Sequence, residues 1–186
     1  MSRTVVAMME DQPGVMNRVV SVLRRRGFNI NSLSVGPTEN PGISRMTIVV
    51  DGDETIVEQV IKQLYKIIEV LKCSDISGER KVDRELALIK VAATASTRSE
   101  VMQLVSIYRA KIVDVSADSL MVEVTGPPEK IETMQNLLRA YGIREMVRTG
   151  LVAMIRSTVG ATSASGASSG DGRQRGNLRA VAPASN

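Results

Sequence analysis

One order of elements, written twice, constrains this chain more than anything else. "RTVVAMME" is a short apolar run of strand type, and Val15, Val19, Val22 and Leu23 then recur at helical spacing up to Gly27. "FNINSLSVGP" alternates as Phe28/Ile30 and shifts parity to Leu33/Val35, which implies a bulge, and "SRMTIVVDG" alternates as Met46/Ile48/Val50. Thr55-x-x-Glu58 fits a capping box ahead of a stripe of Val57, Val60, Ile61 and Leu64, and "IIEVLKCSDI" follows as a strand. The same order returns after "SGERKVDR": "ELALIKVAA", a stripe of Val101, Leu104, Val105 and Tyr108, "KIVDVSA", "LMVEVTG", a stripe of Ile131, Met134, Leu138 and Tyr141, and "IREMVRTGLVAMI" as one last strand.

A β-α-β-β-α-β unit of roughly 75 to 80 residues occurring twice predicts an α+β chain of two ferredoxin-like plaits in tandem, each an antiparallel four-stranded sheet with two helices on one face. Residues 1–77 form the first, 78–84 a linker, and 85–156 the second. From Ser157 the chain is rich in Ser, Gly and Ala with few large apolar residues, so 157–186 is expected to be a disordered tail. A plait leaves one sheet face and its edges open, which makes a homodimer the default expectation.

Composition removes several function classes. Histidine is absent, and with it the commonest general base and metal ligand and every Ser-His or Cys-His pair. Catalysis by this chain alone is not expected. The single cysteine, Cys73, permits no internal disulfide and no four-cysteine metal site; it reads as a small apolar strand residue in a reducing compartment. A net charge of +4 with interspersed signs and 2% aromatics gives neither a basic groove nor a stacking platform, so no nucleic-acid partner is expected. No apolar run is long enough to span a bilayer, and no signal core opens the chain.

The stretch "MEDQPGVMNRVVSVLRRRGFNIN", residues 9–31, carries the chemistry. Pro13 suits a first helical turn and Gly14 lets a ligand approach the backbone, where unpaired amides attract a carboxylate. Asn29 adds donor and acceptor groups, so an α-amino acid would match both. The plainer alternative is that Asp11 is only an N-cap while Asn29 and Asn31 solvate an edge strand. The Arg24-Arg25-Arg26 run reads as a solvated helix end favoured by the macrodipole.

"VVAMMEDQPGVMNRVVSVLRRRGFNINSLSVGPTENPGISRMTIVV", continued by "QLYKIIEVLKCSDIS", "ELALIKV", "YRAKIVDVSADSLMVEVTG" and "GIREMVRTGLVAM", resembles the regulatory small subunits of acetolactate synthase, whose N-terminal domain is an ACT domain. The resemblance covers roughly residues 3 to 156. It implies a non-catalytic partner of a large subunit that condenses pyruvate with pyruvate or 2-oxobutyrate on the route to valine, leucine and isoleucine. Thiamine diphosphate, magnesium and FAD are then expected on that catalytic subunit, and no cofactor on this chain. It further implies stimulation of the large subunit and feedback inhibition by a branched-chain amino acid, typically valine.

In that family the effector lies between two ACT domains. Carried over by position, its residues are Asp11, Gln12, Gly14, Val15 and Met16 on one subunit, with Asn29 and Ile30 facing them. Asp11 departs from the amide many members carry, and an acid suits the ammonium better than the carboxylate. The second unit has "TASTRSEV" at the equivalent place and is expected to hold no effector. The implied location is the cytoplasm, or the plastid stroma of a photosynthetic eukaryote. A free-standing tandem-ACT sensor acting on transcription factors is a rival reading; an acylphosphatase is disfavoured, because "MEDQPGV" has two acids and no arginine.

Overall fold

The computed structural model describes residues 1–157. The tail beyond them, expected to be disordered, lies outside the described residues. The first unit is β1 (Ser2–Glu10), α1 (Val15–Arg25), β2 (Ile30–Pro37), β3 (Ile43–Asp51), α2 (Glu54–Leu64) and β4 (Val70–Asp75), with the strands in the order β2-β3-β1-β4, every pair antiparallel. The second is β5 (Lys81–Ala92), α3 (Arg98–Ile107), β6 (Lys111–Val115), β7 (Ser119–Gly126), α4 (Pro128–Arg139) and β8 (Ile143–Arg148), in the equivalent order β6-β7-β5-β8. Both are ferredoxin-like plaits, as the repeated pattern predicts.

Each core lies between a sheet and its helix pair. Val5, Ala7 and Met9 alternate inward on β1, Met46, Ile48 and Val50 on β3, and they meet Val15, Val19 and Leu23 of α1 and Val57, Val60 and Leu64 of α2. Ala87, Ile89 and Val91 play the same part in the second plait against Val101, Val105, Ile131, Met134 and Leu138. Cys73 belongs to the first core, and burial pushes its thiol pKa up to about 11. The parity shift in β2 is a real bulge, because Ile30 pairs with Val50 and Ser32 with the very next residue, Val49.

α1 ends as its sequence dictates. Gly27 takes the left-handed conformation (φ 69), its amide donates to the carbonyl of Arg24, and Phe28 donates to that of Leu23. This is a Schellman stop, and it puts Phe28 and Leu23 together on the first core.

The structure departs from the sequence reading in four places. α2 is capped by Asp53, whose carboxylate accepts from the Ile56 amide at 3.0 Å, so Thr55 lies within the helix and the Thr55–Glu58 capping box does not form. Pro13 stands before the helix rather than in its first turn, and Gly14 is the N-cap residue. The last strand is two: β8 breaks at Thr149-Gly150-Leu151, and β9 (Val152–Ile155) pairs with residues 81–84, the far half of the assigned linker and the start of β5.

Fourth, the helix-free face of the first sheet is not open. Thr4, Val6 and Thr47 are buried there, and Val6 packs with Ile76 and Ala153. Arg45 Nη2 donates to the Ala153 carbonyl at 2.7 Å, and the Leu151 amide to Ser32 Oγ at 2.8 Å. The β9 ribbon covers that face because glycine lets the chain pass: a Cβ on Gly150 would stand 2.5 Å from the Leu33 carbonyl oxygen. Residues Met1–Arg156 accordingly form one compact unit.

Candidate functional site

β1 delivers the chain to the start of α1. The Asp11 amide donates to the Gly42 carbonyl at 2.8 Å, which anchors the loop to the β2–β3 turn, and Gly14 then adopts φ 87, a conformation L side chains rarely take. No side chain caps α1 and no acid lies in its first turn; each of α2, α3 and α4 carries a first-turn glutamate. α1 is therefore the one described helix with neither a side-chain cap nor a first-turn acid set against its amides and dipole, a place that suits an anion.

Around that start Asp11, Gln12, Gly14 and Met16 are exposed, whereas Val15 is buried in the first core and its amide already donates to the Gln12 carbonyl at 3.3 Å. Gln12 Nε2 donates to Glu10 Oε2 at 2.7 Å, and Arg18 pairs with Glu69 at 2.6 Å.

The second group gathers at the entry to β2. The exposed Asn29 accepts the Asp51 amide through its carbonyl at 3.1 Å and donates Nδ2 to Asp51 Oδ2 at 3.1 Å. Asn31 donates to Asp51 Oδ1 at 2.8 Å, and Ser2 Oγ donates to the same oxygen at 3.3 Å. The hydrogen bond from Asn31, joined by those from Ser2 and Asn29, holds the Asp51 carboxyl below its usual pKa against an opposing desolvation effect. Ile30 packs its side chain against the first core. Asp51 is the residue that sequence reasoning missed. Its only signal was the Asp-Gly that closes "SRMTIVVDG", which reads as a strand end.

The two groups stand at opposite ends of the sheet. β1 pairs Ser2 with Asp51 at one end and Glu10 with Ile43 at the other, a span of about 26 Å at the usual strand rise. One chain does not bring Asn29 to Gly14. In the second plait, the loop before α3 is a hydroxyl cluster in which the Thr94 amide donates to Thr97 Oγ1 at 3.1 Å and Thr94 Oγ1 lies 2.9 Å from Ser96 Oγ. Among the described residues no group of His, Cys, Asp and Glu is placed to hold a metal ion, and no helix is long and apolar enough to cross a membrane.

Comparison with known proteins agrees with this architecture. Residues 6–72 match the family described as "AHAS small subunit-like ACT domain", and residues 84–157 match "Small subunit of acetolactate synthase". The "Probable acetolactate synthase small subunit" of Archaeoglobus fulgidus is 54% identical over 156 residues, 84% of this chain and 98% of the relative. The acetolactate synthase small subunit of Mycolicibacterium smegmatis is 48% identical over 86% of this chain and 94% of its own length. The crystal structure of the corresponding subunit from Thermotoga maritima superposes with a TM-score of 0.80 at 42% identity, covering 86% of this chain and 99% of that one.

Proposed function

The chain belongs to the family of acetolactate synthase small subunits, and on that premise we propose that it binds a large catalytic subunit, raises its turnover, and renders it sensitive to valine or another branched-chain amino acid. The chemistry stays on the large subunit with its thiamine diphosphate, magnesium and FAD; this chain, with no histidine, supplies no acid–base pair to it. Its place of work is the cytoplasm, or the stroma in a plastid.

The observation that carries the effector reading is the start of α1, uncapped and free of acid, which offers a carboxylate both amides and dipole. The other half of the site, Asn29 and Ile30, is a sheet length away in the same chain. A second copy must supply it. The working unit is therefore a homodimer through residues 3–77, with Asp11, Gln12, Gly14, Val15 and the amide of Met16 from one protomer facing Asn29 and Ile30 of its partner. Allosteric coupling of about 1–3 kcal/mol between effector and catalytic sites is the ordinary range for such a device.

Reconstitution tests it. Purified chain added to its cognate large subunit should increase acetolactate formation, and valine should reverse the gain. Unchanged turnover with no complex on a sizing column would refute the regulatory role and leave the free-standing sensor as the better reading.

A further inference from the structure

The amide side chains in both halves of the site are turned the same way. Asn29 gives Nδ2 to Asp51, Asn31 gives Nδ2 to the other oxygen of Asp51, and Gln12 gives Nε2 to Glu10. An ionised carboxylate only accepts, so each amide has its NH2 side fixed by its partner. Asp51 is kept ionised by these same bonds, which hold its pKa low. Asn29 is exposed, and among the described residues its Oδ1 makes no hydrogen bond.

We propose that Asp51 is a positioning residue of the effector site: by occupying the NH2 of Asn29 it leaves Asn29 to present its carbonyl oxygen, which selects an α-ammonium group and rejects a 2-oxo acid of the same carbon skeleton. The inference rests on the effector reading above and adds a polarity to it. The ammonium lies toward Asn29 Oδ1, Gln12 Oε1 and Asp11, all acceptors, and the carboxylate lies on the amides of α1. The acid at position 11 is then consistent with its surroundings, since it faces the cationic end of the ligand. Such polarity has a use in this family. The substrates of the large subunit are themselves 2-oxo acids with a carboxylate at the same place, and a carbonyl oxygen of Asn29 set against a ligand carbonyl oxygen is an unpaired, repulsive contact.

The test uses the full chain and calorimetry with two probes, valine and 3-methyl-2-oxobutanoate, which differ only in ammonium against carbonyl at C2. The wild type should bind valine and discriminate strongly against the oxo acid. Asp51→Asn frees the Asn29 amide to turn over, so the preference for valine should fall at least about tenfold, the scale of one charge-assisted hydrogen bond. Asp51→Glu keeps an acceptor-only group and should retain part of the preference. Both variants alter an exposed side chain outside the core, and melting curves should show that both remain folded, with a modest loss in Asp51→Asn from its weakened bonds to Ser2, Asn29 and Asn31. An unchanged valine preference in Asp51→Asn, with both probes weakened alike, would make Asp51 merely structural and overturn the proposal, as would equal loss of preference in Asp51→Glu. A wild-type chain that binds no branched-chain amino acid is a separate failure, and it overturns the effector reading itself.

Discussion

The phenolic oxygen of Tyr65 closes on both polar groups of Cys73, donating to its carbonyl at 3.2 Å and accepting from its amide at 3.0 Å. Cys73 stands opposite Ala7 in the β1–β4 ladder, at a position whose amide and carbonyl point away from β1 toward the sheet edge. The residue that ends α2 thus caps the β4 edge. Tyr65→Phe should remove two hydrogen bonds and strip the edge, costing about 1–2 kcal/mol. Urea unfolding should show a lower midpoint at unchanged slope; an unchanged midpoint would mean that water replaces the hydroxyl without loss.

Gly150 is where the second plait reaches over the first. A Cβ there meets the Leu33 oxygen at 2.5 Å and the Leu33 carbonyl carbon at 2.8 Å, both backbone atoms that cannot rotate aside. Gly150→Ala should therefore cost about 1–3 kcal/mol by overpacking, read as a lower melting temperature. Gly78→Ala, with open space around it, is the control and should be near neutral. Equal melting of the two variants would show that the β9 ribbon shifts freely on β2.

Much of this fold was legible in the sequence because each plait writes its own periodicity. The Val15/Val19/Leu23 stripe, the Phe28–Gly27 stop and the parity slip at Asn31 are local features, set by residues a few places apart. The β9 ribbon was not legible. "IREMVRTGLVAMI" reads as one strand, and its break at Gly150 follows from a contact with Leu33, more than a hundred residues away in sequence. Thr55–Glu58 misled for a related reason: two capping patterns overlap, and Asp53 won because its side chain reaches the Ile56 amide. At the candidate site, the glycine turn was readable, whereas the bonds of Asp51 to Ser2, Asn29 and Asn31 were hidden, since they come from the ladder that sets Asp51 beside Ser2.

Acid should weaken the first plait through Asp75. Burial raises its pKa, but bonds from the Ser77 hydroxyl and amide and the Arg3 guanidinium outweigh that effect and leave it below 3.8. The folded value lies under the unfolded one. The stabilisation is therefore complete above pH about 4 and is lost as pH falls through the folded pKa. Asp75→Asn should flatten this acid limb in melts from pH 7 to 3, at the expense of stability at neutral pH. A variant with the same acid limb as the wild type would assign the effect to other carboxylates.

The decisive variants for the effector site are Gly14→Asp and Asn29→Ala. At Gly14 the nearest atom to an added Cβ is Arg18 Nη1 at 3.7 Å, ordinary contact with an opposite charge, and aspartate enters the left-handed region more readily than most residues. The chain itself should accept the change at a cost of about 1 kcal/mol. What it would not accept is an effector carboxylate at the same helix start, met by a side chain and a like charge. Asn29→Ala removes the polar contact from the other half and leaves Asp51 exposed and solvated. Both variants should keep their stimulation of the large subunit while valine inhibition is nearly abolished in the first and weakened at least about tenfold in the second. Dose–response curves on the reconstituted enzyme separate the possibilities. Wild-type sensitivity in Gly14→Asp would place the effector elsewhere, and loss of stimulation together with inhibition would make Gly14 a residue of folding or assembly.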